Sequence, residues 1–115
     1  MRVGYDSCIV PDTEEALIWD LGSSGWELGL SPEIPKIIHA HVKDFSLGMI
    51  TPHLGGQKVD LDSLDWCLHP GGVAIVNAIE ETCGLDSTVH SKATWDVLGR
   101  VGNMSSGTVY FVLDQ

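Results

Sequence analysis

Basic residues are scarce in this chain. Six lysines and arginines stand against sixteen aspartates and glutamates, a formal net charge of −10. The six (Arg2, Lys36, Lys43, Lys58, Lys92 and Arg100) are scattered rather than clustered. Such a surface repels a phosphate backbone, so nucleic acid is not an expected partner. Any run of about 18 apolar residues is also missing, so no membrane span is expected. The opening Met1-Arg2-Val3-Gly4-Tyr5-Asp6 carries no charged-then-apolar leader pattern. Cysteine is limited to three residues, with no Cys-x-x-Cys pair. An odd, unpaired set points to free thiols in a reducing compartment, the cytoplasm. Cys67 and His69, with His39 and His41 elsewhere, lack the paired spacing of a zinc site, so no metal is expected. Gly71-Gly72 belongs to neither a Walker pattern nor a Gly-x-Gly-x-x-Gly fingerprint. Internal repeats and low-complexity runs are absent too.

What is present fits one domain. The 115 residues are 43% hydrophobic, enough for a modest core that buries roughly two-thirds of the unfolded surface. The chain is organised around residues 64–74. Leu64, Trp66 and Leu68 alternate with Asp65, Cys67 and His69, the period of two that a strand imposes. Pro70 stops the strand, and Gly71-Gly72 turn the backbone tightly. From Ala74 the period becomes helical: Val76, Ile79 and Cys83 share a face, and Gly84 closes the helix. A histidine is thereby set at a strand end, beside a glycine corner and a helix start, where layered α/β proteins place their ligands. Further along, Gly102-Asn103-Met104-Ser105-Ser106-Gly107 marks a turn into another element. The Asn103 amide and a neutral His69 ring are both hydrogen-bond donors, and two convergent donors are what an oxyanion needs. By itself, His69 reads more simply as a strand-end histidine bonded to backbone, and Asn103 as a turn residue; it is the two motifs together that favour the chemical reading.

The remaining elements follow from local pattern. Val3 to Val10 reads as a strand stopped by Pro11-Asp12. Thr13 to Leu21 suits either a helix start or a strand. Gly22 to Gly25 is a turn, and Trp26, Leu28 and Leu30 form a half-buried strand. Ser31 caps a helix entered through Pro32 and Pro35, with Ile34, Ile37, Ile38, Val42 and Phe45 as its buried stripe and an end near Gly48. Met49 to Ser63 is a loop. Leu85 to Val101 holds one or two short helices with Trp95 and Leu98 inward. Thr108 to Leu113 is a strand by propensity alone.

Trp66-Cys67-Leu68-His69-Pro70-Gly71-Gly72 and Gly102-Asn103-Met104-Ser105-Ser106 together resemble the paired signatures of type III polyketide synthases, the chalcone and stilbene synthase family. Related ketoacyl synthases follow their histidine with Gln-Ala-Asn, absent here. The resemblance implies an α/β chain, the C-terminal half of a thiolase-like fold with a mixed sheet and helices packed on it, truncated at both ends. Residues 1–115 would form one partial domain. It makes Thr108 to Leu113 a helix, places a strand after the Pro11-Asp12 turn, and makes the 49–63 loop an insertion. It implies decarboxylative condensation of malonyl-coenzyme A with an acyl starter, with His69 and Asn103 as catalytic donors and coenzyme A thioesters as substrates rather than cofactors. Gly25 aligns with a glycine shaping the acyl cavity, though it also reads as a turn glycine. Ser105 matches a serine beside the starter pocket and also reads as a helix cap. The family is homodimeric, and its nucleophilic cysteine lies far upstream of the histidine. Cys8, Cys67 and Cys83 do not match that motif, so the missing N-terminal half becomes an implied partner and this chain alone is expected to be inactive. The alternative is a non-catalytic half-domain that pairs with a full-length synthase subunit.

Overall fold

The computed structural model describes residues 4–55 and 57–115. Two strands, β1 (Leu17–Gly22) and β2 (Gly25–Leu30), form an antiparallel ribbon. The ambiguous stretch before Gly22 is therefore turn, then strand. Gly25 has φ +124°, a backbone conformation only glycine adopts easily, and this lets the ribbon reverse. The register pairs Leu17 with Leu30, Trp19 with Leu28 and Leu21 with Trp26, so one face is wholly apolar. The Trp19 and Trp26 rings meet edge to face with centroids 6.4 Å apart. On the back face Ile18 lies over Gly29, and Asp20 sits directly opposite Glu27.

Ser31 ends the ribbon and starts α1 (Ile34–Ile50), its hydroxyl accepting the Glu33 N–H at 3.2 Å. The helix runs past Gly48 and passes into a 3₁₀ turn at Thr51–Leu54 with Pro52 in its first turn. The expected loop is thus mostly ordered, with a second 3₁₀ turn at Leu61–Ser63. Helix α2 (Val73–Cys83) follows the glycine corner as the pattern requires. It ends where left-handed Gly84, at φ 72°, returns its N–H to the Glu80 carbonyl. The faces of α1 and α2 enclose the core: Leu61, Leu68, Ile79, Cys83 and Leu85 are buried, with Ile38, Val42, Leu47 and Trp66 packed against them.

Helix α3 (Lys92–Val101) buries Thr94 and Val97, with Trp95 and Leu98 only half-buried. The inward face is rotated from the expected one because Trp95 is drawn sideways to Glu80, to which its Nε1–H donates at 2.6 Å. The Ser91 hydroxyl donates to the same carboxylate. Ser105–Gly107 forms a 3₁₀ turn leading into α4 (Thr108–Leu113), a helix despite its strand propensity.

Two expected strands carry no ladder. Residues 4–10 and 64–69 join no strand ladder among the described residues; Val3 lies outside them. Alternation of polarity reports that a segment has two different sides, not that a neighbouring strand is present. No described helix is long and apolar enough to cross a membrane.

Candidate active site

His69 follows a segment fixed by side chains rather than by a sheet. Trp66 Nε1–H donates to the Leu61 carbonyl at 2.8 Å, and the Cys67 thiol donates to the Val109 carbonyl at 3.6 Å. The Leu68 side chain is buried in the core. Buried Pro70 follows, and Gly71 N–H closes a tight three-residue turn onto the His69 carbonyl at 2.8 Å. A Cβ at position 71 would stand 3.1 Å from the Ile75 side chain, so glycine lets the corner sit close on α2. The His69 ring, released from the core by this turn, is exposed.

Asn103 sits on the connection between α3 and α4. Its Nδ2 donates to the Gly71 carbonyl at 3.0 Å, and its Oδ1 accepts the Ser105 N–H at 2.8 Å. These bonds fix the amide's orientation and leave one N–H of the Nδ2 group for another acceptor. Ser105 itself is left-handed at φ 61°, unusual for a residue with a Cβ. Its hydroxyl caps no helix. The turn is instead closed by Thr108, whose hydroxyl accepts the Met104 N–H and donates to the Ser105 carbonyl, both at 2.7 Å.

His69, Asn103 and Ser105 line one cleft of about 420 Å³, with Gly71 and Ser106 beside them. Its other wall is apolar: Leu17, Trp19, Leu28 and Leu30 of the ribbon, Ile34 and Ile38 of α1, and Ile75 of α2. Gly25 is not among these residues; it stands at the far end of the ribbon, opposite Gly22, where its open surroundings and positive φ mark it as a turn residue. Trp19 was not singled out in the sequence because its stretch was ambiguous. The signal that would have found it is the ribbon register, which sets Trp19 opposite Leu28.

The cysteines lie elsewhere. Cys8 is exposed in the 4–10 segment. Burial raises the Cys67 and Cys83 thiols above their ordinary value, with Lys43 partly offsetting the effect at Cys83. Both therefore hold their protons at neutral pH, and neither lines the cleft.

A ribbon and helices that set a histidine corner and an asparagine loop on one apolar cleft define the C-terminal half of a thiolase-like α/β fold. Residues 5–115 match the family profile described as chalcone and stilbene synthases, C-terminal domain. A probable polyketide synthase from Dictyostelium discoideum is 37% identical over 106 residues, which are 90% of this chain and 3% of that protein. A type III pentaketide synthase from Neurospora crassa superposes with a TM-score of 0.91 at 29% identity, covering 97% of this chain and 30% of the other. The C-terminal type III polyketide synthase domain of a type I/III hybrid from Dictyostelium gives 0.80 at 37% identity, covering 91% and 29%. The chain belongs to the chalcone and stilbene synthase family, as a type III polyketide synthase C-terminal domain. It spans a small part of the curated relative and about 30% of these solved chains.

Proposed function

We propose that this chain supplies the oxyanion-stabilising half of a polyketide-forming active site. One observation carries the reading: His69 and Asn103 line the same apolar cleft, and Asn103 is bonded to the corner that follows His69. The reaction is decarboxylative condensation of malonyl-coenzyme A with an acyl-coenzyme A starter held as a thioester on a cysteine outside this chain. The malonyl C–C bond to carboxylate breaks, carbon dioxide leaves, and the electron pair moves onto the thioester carbonyl oxygen. His69 Nε2–H and the remaining Asn103 N–H hold that oxygen. The enolate carbon then attacks the acyl thioester, and the tetrahedral intermediate expels the cysteine thiolate. Fixed donors are worth roughly several kcal/mol at such an oxygen once water is excluded. The apolar wall suits an acyl chain, and Ser105 lines the same cleft.

The chain alone should form no polyketide, because its buried thiols are protonated and none lines the cleft. Mixed or joined with the cysteine-bearing N-terminal half of a type III synthase, it should turn over. His69→Ala or Asn103→Ala should then lower kcat by about 10²- to 10³-fold. Condensation by the isolated chain, or unchanged turnover in both variants, would overturn the reading.

A second reading is a non-catalytic half-domain paired with a full-length synthase subunit. The apolar ribbon face favours it, since Leu21 and Trp26 are 72% and 67% exposed. Mixing the chain with a full-length synthase subunit separates the two: binding there, with no turnover on mixing with the N-terminal half, supports the second.

A further inference from the structure

We infer that Thr94 is a positioning residue for the His69–Asn103 pair, an inference that rests on the functional reading above. Thr94 is fully buried in the first turn of α3. Its hydroxyl leaves the helix and donates to the Leu68 carbonyl at 3.1 Å, across 26 residues of sequence. That carbonyl belongs to the peptide whose nitrogen is His69. Holding it fixes the plane of the Leu68–His69 peptide, and with it the direction in which the His69 side chain departs.

No sheet does this job. Residues 64–70 have no ladder partner among the described residues, so their placement falls to side-chain bonds. Two of those bonds come from the helices on either side of the Asn103 loop: Thr94 of α3 to Leu68, and Cys67 to the Val109 carbonyl of α4. The third is Asn103 itself on Gly71. The His69 segment is thus tied to the same helix pair that carries Asn103, and the separation of the two donors is set there. Cys67–Val109 is a long thiol bond and therefore the weaker tie. Asn103–Gly71 is exposed to water. Thr94–Leu68 is the one buried hydroxyl bond of the three and holds where water cannot substitute. Oxyanion donors tolerate little displacement, since a misplacement of about 1 Å can cost on the order of 10²-fold in rate.

The test uses this chain with isotope-labelled histidine and asparagine. Thr94→Val keeps the volume and removes the donor; Thr94→Ser keeps the donor and removes a methyl. The Val variant should shift both the His69 ring and the Asn103 side-chain amide resonances, and the Ser variant should return them to the parent positions. If the Val variant does not fold, Thr94→Ala is read in its place with the same expectation. A melting temperature that falls while those two resonances stay put would show a merely structural residue and overturn the proposal. So would a Ser variant that shifts them as far as Val does. The functional reading fails separately: a parent chain whose His69 and Asn103 resonances ignore added malonyl-coenzyme A would sink it without touching the Thr94 result.

Discussion

Cys67 stands two residues from His69, on the same side by alternation, yet its thiol is bonded to a carbonyl and its proton is held more firmly by burial. Thiol reagents act on the thiolate, so exposure and acidity together set the order of labelling. Cys8 should label first, Cys67 slowly, and Cys83 only as the chain unfolds. Mass spectrometry of a timed alkylation reads this order directly. Cys67 labelling ahead of Cys8 would mean an activated thiolate beside His69 and would reopen the search for a nucleophile. Asp86 gives a second residue-scale expectation. Its carboxylate accepts the Thr88 hydroxyl at 2.5 Å and the Thr88 N–H at 2.7 Å, which hold its pKa below the ordinary value. The folded state therefore binds that proton less readily than the unfolded chain. Its contribution is present above the unfolded pKa and is lost as pH falls through the folded one. Asp86→Asn should lose less stability than the parent between about pH 5 and pH 2. Parallel acid curves for the two would refute it. The turns that carry His69 and Asn103 were legible in sequence because glycines and paired serines punctuate them. Thr94 was not, because hydropathy patterns record apolar residues and pass over a buried hydroxyl.

Helix α2 shows what periodicity reads well. Val76 is fully buried and shares a face with buried Ile79 and Cys83, as a helix with one buried stripe requires, whereas Val73, the first residue of the helix, is 59% exposed. Val76→Ala should cost about 2 kcal/mol from lost burial and residual cavity, and Val73→Ala within about 0.5 kcal/mol. Urea melts of the two variants decide it, and equal costs would displace α2 from its assigned face. Left-handed Gly84 located the end of α2 for a physical reason: it answers carbonyl groups that every helix end leaves unpaired, whereas the serines expected as caps cap no helix. Strands are less legible, because the ladder depends on a partner that local sequence does not contain. Residues 64–69 show the alternation of a strand and are instead held by Trp66, Cys67 and Thr94 bonds. The link between α2 and α3 was equally invisible. His90 accepts the Asp86 N–H on Nδ1 at 2.9 Å, so its Nε2 carries the hydrogen given to the Asp62 carbonyl at 2.7 Å.

At the scale of the whole molecule, the radius of gyration is 15.5 Å and the extents are 52 × 34 × 27 Å. A compact chain of this length has a radius of about 13 Å. The excess has a visible source, since Leu17, Trp19, Leu21, Trp26, Leu28 and Leu30 are each at least half exposed on one ribbon face. Apolar patches of this kind drive association, and a charge of −10 aids solubility without covering them. The isolated chain should sediment as concentration-dependent oligomers in the micromolar range and bind an apolar dye. Leu21→Lys with Trp26→Lys should shift the distribution toward monomer. A dye-negative monomer at all concentrations would mean that the ribbon face finds cover within the chain.

The Asp20–Glu27 pair on the back of that ribbon has a consequence for misassembly. A ribbon of two strands, both edges open among the described residues and one face apolar, is a ready template for cross-β growth. Like charges directly opposite each other weaken the native hairpin a little. In a fibril the same two carboxylates would recur in every layer, stacked about 4.8 Å apart along the axis. Each added copy would then meet repulsion from the one below, and the penalty would grow with the length of the fibre. Asp20→Thr with Glu27→Thr should firm the hairpin and, in the same stroke, shorten the lag before thioflavin-positive fibres form. An unchanged lag would show that another segment seeds the growth.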